Sequence, residues 1–177
     1  MIKVKKGSVK GSVLALVAGA IMLLGMAGCN ITEGQAKVIA KNVGLYSAVG
    51  WIALDNPSGV VIESIQDILV VIETNAAGVE GGATYTEVLF PILTTYIDEK
   101  VALQYRPVCK AGAIAFLGGI DMLFAARPEW QEDQDLAISI VDAFILGAKN
   151  GLGMKEDHPV MIQARANVQA RAKVYTP

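Results

Sequence analysis

From Thr32 onward, apolar residues recur every three or four positions, and no stretch alternates apolar and polar residues over the length of a strand. A chain patterned this way buries its core through helices, because side chains three and four apart share a helical face whereas a strand needs a period of two. Residues 58–76 make the clearest case. Val61, Ile65, Ile68, Leu69 and Ile72 fall on one face, and Glu63, Gln66, Asp67 and Glu73 fall on the other. The β-branched content would also suit a strand, but the polar residues keep helical spacing.

Helix starts and stops divide the rest. Thr32 with Gln35 and Thr84 with Glu87 fit capping boxes, and Asp55-Asn56-Pro57, Arg106-Pro107 and Arg127-Pro128 interrupt the chain. They predict helices over about 32–54, 58–76, 84–103 and 107–126. A fifth follows an acidic approach at 129–135 and ends near 149–153. Asp157 is expected to cap a last helix running to about Lys173, with Pro159 in its first turn. Pro91 implies a kink or a late start in the third helix, and residues 78–82 a loop. The expected fold is all-α, a compact bundle of five to six helices in a single domain from 29 to 177.

Two helices stand out. In the first, Ala36, Ala40, Gly44 and Ala48 repeat every four residues, a ridge of small side chains that lets another helix come close. The fourth is apolar nearly all round, with Lys110 and Asp121 its only charges, and is expected to be the buried centre of the bundle. Too few residues separate those two charges to span a bilayer.

The N-terminus carries a different message. Lys3, Lys5, Lys6 and Lys10 form a basic segment, residues 11–28 carry no charge, and the run ends in Met26-Ala27-Gly28-Cys29. This resembles the lipobox of bacterial lipoproteins, with Met26 where the family usually has leucine. The resemblance covers residues 1–29 and identifies a processing route. It implies that residues 1–28 are a signal peptide, removed after Gly28, and that Cys29 carries fatty-acyl chains such as palmitate. Asn30, in place of the aspartate that retains enteric lipoproteins in the inner membrane, implies an outer-membrane anchor facing the periplasm, with the outer leaflet of the inner membrane as the alternative. An uncleaved anchor is the competing reading, since the uncharged run approaches the ~20 residues that span a bilayer.

Charge limits the partners. All four lysines of the basic segment precede Cys29 and no acid does, so the mature part has 11 basic against 17 acidic residues, a net charge of −6. That balance argues against nucleic acid. The expected partners are the membrane, through lipid on Cys29, and another envelope protein.

Catalytic signals are sparse. His158 is the sole histidine, at a helix start, and no paired-cysteine or His-x-x-x-His spacing suggests a metal. There is no serine-hydrolase elbow and no phosphate-binding glycine loop, so no catalytic residue, cofactor or metal is assigned. Cys109 lies among apolar residues and reads as an inert buried thiol. The polar residues to watch are Asp121 and Lys110. A buried Asp121 must find a donor, and Lys110 is about 16 Å away along the helix axis. Lys149, Arg165 and a tyrosine or tryptophan are the candidate donors. Three classes of function remain: a non-enzymatic binding or accessory lipoprotein, a small-molecule or lipid carrier with a cavity between helices, and a carboxylate-based enzyme.

Overall fold

The computed structural model describes residues 31–79 and 82–174, with side chains as far as Asn167. Among the described residues seven helices follow one another: α1 Glu33–Asp55, α2 Gly59–Asn75, α3 Tyr85–Lys100, α4 Arg106–Ala126, the one-turn α5 Glu129–Glu132, α6 Gln134–Leu152 and α7 Pro159–Val174. A 3-10 turn, Ala76–Gly78, follows α2. No strand occurs among the described residues, and the chain is an all-α bundle.

Local chemistry sets most of the boundaries. Both capping boxes form: Thr32 accepts from the Gln35 amide while Gln35 reaches back to the Thr32 amide, and Thr84 and Glu87 repeat the exchange. Asn56 ends α1 at φ 42, a left-handed conformation that asparagine tolerates, and Pro57 prevents continuation. The third helix neither starts late nor breaks at Pro91, but runs through it from Tyr85. The acidic approach is itself partly helical, as α5, and Asp133 then caps α6 by accepting from the Leu136 amide. At α7, the cap expected from Asp157 comes from His158, whose Nδ1 accepts from the Val160 amide at 3.3 Å.

The small-residue ridge of α1 meets α6, and this is the closest helix pair in the bundle. A Cβ on Gly44 would overlap the Phe144 carbonyl oxygen, and one on Gly147 would overlap the Lys41 carbonyl oxygen. Gly151 leaves only 2.7 Å between such an atom and the Leu45 carbonyl oxygen. Later residues of α1 meet later residues of α6, so the two helices run in the same direction. Beside this contact α1 runs antiparallel to α4, with Trp51 next to Gly112 and Ser47 next to Gly119. Trp51 and Phe116 meet edge to face across this contact, with ring centroids 6.2 Å apart. The five apolar residues that mark the inner face of α2 are all buried.

Ser47 is the buried polar residue of this core among the described residues. Ser47 is 0% exposed at the crossing of α1, α4 and α6, and its hydroxyl has no hydrogen-bond partner. A buried hydroxyl without a partner opposes folding, so Ser47→Ala should leave stability unchanged or raise it by up to about 1 kcal/mol. Urea denaturation measures the change, and a clear loss of stability would contradict the geometry.

The fourth helix departs from expectation. It is the one described helix long and apolar enough to cross a membrane, yet only half of its apolar stretch is buried. Its inner face, from Cys109 through Phe116 and Ile120 to Phe124, is core, whereas Ala111, Ile114 and Ala125 face outward. It therefore forms a side of the bundle and not its centre.

Candidate functional site

The lipobox residues Met26, Ala27, Gly28 and Cys29 lie outside the described residues, and the described chain begins at Ile31. Ile31 packs against the core immediately before the Thr32 cap. It also lines a half-open cleft of about 420 Å³ together with Glu33, Ala36, Arg127, Trp130 and Leu136. The start of α1, the end of α4 and the start of α6 thus converge at one pole of the bundle. Arg127 pairs there with Glu129 at 3.3 Å. Nothing local in the sequence marks Ile31 and Arg127 as neighbours, because the antiparallel course of α1 and α4 brings them together.

Asp121 is half-buried and is occupied by another helix. Its Oδ1 accepts from the Tyr85 amide at 2.6 Å and its Oδ2 from the Thr86 amide at 3.2 Å. These are the first two amides of α3, which lack partners within their own helix. The third amide, of Glu87, bonds to the Thr84 hydroxyl. Asp121 therefore finds donors on another element, as its burial requires. They are backbone amides and not Lys149, Arg165 or a side chain of tyrosine or tryptophan. Lys149 pairs with Glu73 at 2.8 Å and Arg165 with Glu156 at 3.2 Å.

Tyr85 packs beside this contact, stacked on Phe124 with centroids 5.2 Å apart. Burial first, and the Asp121 charge second, push its phenol up to about 12. Lys110 is not brought to Asp121. It pairs with Asp98 of α3 at 2.8 Å, and Arg106 approaches the same carboxylate.

Cys109 is fully buried and burial pushes its thiol up, with the nearby Ser64 opposing, so the thiol is chemically quiet. His158 is exposed at the start of α7. Glu73, Asp142 and Lys149 form a surface group in which burial first and the Glu73 charge second raise the Asp142 carboxyl, while Lys149 lowers it. Among the described residues no cluster of histidine, cysteine and carboxylates is arranged to hold a metal. A second shallow groove, of about 310 Å³, lies between Tyr46, Val49 and Gly50 of α1 and Val160, Gln163 and Ala164 of α7.

Comparison with known proteins returns no match, since no family model, curated protein or solved structure resembles the chain.

Proposed function

We propose that the chain is a lipid-anchored envelope lipoprotein whose helical domain has a non-enzymatic binding or accessory structural role. The observation that carries the reading is the N-terminal pattern: four lysines, an uncharged run over 11–28, and Met26-Ala27-Gly28-Cys29 at its end. The fold is compatible with it, because α1 is capped at Thr32, three residues beyond Cys29, and a folded domain can follow the anchor directly. Asp121, the carboxylate that the sequence sets among apolar residues, is occupied by two amides, which weakens the reading as a carboxylate-based enzyme. The small-residue ridge that could have left room for a carried ligand is filled by the backbone of α6, which weakens the carrier reading. An outer-membrane position facing the periplasm and a second envelope protein as partner belong to the same proposal.

Mass spectrometry of the protein from cell envelopes tests it. The expected N-terminal residue is Cys29 bearing acyl chains, and Cys29→Ser should accumulate as uncleaved precursor or appear as protein released from membranes. An N-terminus at Met1 without acyl mass on residue 29 would overturn the anchor. Crosslinking the lipidated protein in its native envelope then identifies what it binds.

A further inference from the structure

The outer face of α4 is unlike those of α2, α3 and α6. Pro107, Ala111, Ile114, Gly118, Met122 and Ala125 are exposed or half-buried, follow one another at spacings of three and four, and carry no polar side chain. They run about 27 Å along the helix. The charged residues of α4 turn elsewhere, Lys110 to Asp98 and Asp121 to the amides of α3. By contrast, the outer faces of α2, α3 and α6 display Glu63 and Asp67, Glu87 and Asp98, and Asp135 and Asp142.

The position of this face relative to the anchor indicates what covers it. Ile31 and Arg127 line one cleft, so the described chain begins beside the C-terminal end of α4. Two residues of chain reach about 7 Å at most, which keeps a bilayer holding Cys29 close to that end. Cations flank the apolar face, Arg127 at the near end and Arg106 and Lys110 at the far end. Arg127 pairs there with the exposed Glu129, and Arg106 and Lys110 share the exposed Asp98.

We propose that the domain lies on the bilayer with the outer face of α4 against the lipid, and does not stand away from it on its tether. The inference rests on the anchor reading above. Alanine and glycine side chains bury little apolar area, so the contact is weak by itself. Tethering makes it effective by fixing a high local concentration of membrane. The lipid then covers a face that would otherwise remain an unusual apolar stripe in water.

Site-directed fluorescence on the full processed chain tests this, in vesicles of phosphatidylethanolamine and phosphatidylglycerol. A Cβ at Gly118 meets nothing within 4 Å, so Gly118→Cys is accommodated, and Glu63→Cys, at an exposed position of α2, serves as the reference. Cys109 is fully buried and does not compete for the label. Nitroxide-labelled lipid should quench the probe at residue 118 about threefold or more over residue 63, and Ala111→Glu should abolish the difference. Equal quenching at the two positions overturns the proposal. So does a dimer in which residue 118 is shielded without lipid, since that assigns the face to a second copy. The mass of the N-terminal peptide from the same sample reports lipidation separately, so the anchor can fail without being confused with failure of the face.

Discussion

Gly147→Ala is expected to lower the stability of the bundle by about 2–4 kcal/mol, toward or beyond the upper end for overpacked cores. The added methyl group would occupy the position of the Lys41 carbonyl oxygen, and that atom belongs to the backbone of α1, which has no alternative rotamer. The two helices must part, and parting them opens gaps around Ala40, Ala48, Phe144 and Ala148, all now completely buried. In a domain of this size the loss corresponds to a fall in Tm of roughly 6–12 °C. Gly44→Ala makes the reciprocal clash, against the Phe144 carbonyl oxygen, and should behave alike. The double variant should lose less than the two single losses added, because one separation of the helices relieves both clashes. Gly118→Ala is the control. Its methyl group enters open space, so the helical preference for alanine should raise stability by up to about 1 kcal/mol. A stable Gly147→Ala protein would mean that α1 and α6 do not pack this closely.

That crossing shows how much of the fold the sequence discloses. The four-residue repeat of Ala36, Ala40, Gly44 and Ala48 is legible as a face made for close approach, because spacing is a local property. Its partner is not legible, although Gly147 and Gly151 repeat the same spacing on α6, since the pairing joins segments about a hundred residues apart. The capping boxes at Thr32 and Thr84 are visible for the same local reason. The outer face of α4 shows a different limit. A helix apolar all round in sequence reads as a core helix, and only packing separates the buried side at Phe116 and Ile120 from the open side at Ala111 and Ala125.

Asp121 shows where sequence reasoning succeeds in kind and fails in detail. That a carboxylate among apolar residues must find donors follows from the cost of burying it alone. Which donors it finds does not follow, because the free amides at the start of a helix carry no residue signature. The search for a cationic or aromatic side chain therefore misses Tyr85 and Thr86, whose backbone and not their side chains makes the contact.

The contact should be among the more valuable in the domain. Removing the carboxylate in Asp121→Ala leaves two amides of α3 without their charge-assisted partner and takes a negative charge from a helix N-terminus. The group is half-buried, so the returning amides can recover part of their loss from water. The expected destabilisation is therefore about 2–4 kcal/mol, short of the full cost of breaking a buried charge pair. Asp121→Asn keeps one acceptor oxygen without the charge and should lose roughly half as much. Hydrogen exchange offers a local reading, since the Tyr85 and Thr86 amides should lose protection while that of Glu87, held by Thr84, is less affected. Alkaline stability offers another. The Tyr85 phenol is pushed from its ordinary 10 up to about 12, by burial first and by Asp121 second. A raised folded-state value means that the unfolded chain ionises first, so the contribution of Tyr85 is complete below pH 10 and is lost as pH rises toward 12. Asp121→Asn removes the smaller of the two causes and leaves burial, so Tyr85 should titrate at a lower pH than in the parent but still above the ordinary value. If Asp121→Ala unfolds at the parent's denaturant midpoint and the two amides stay protected, the carboxylate does not cap α3.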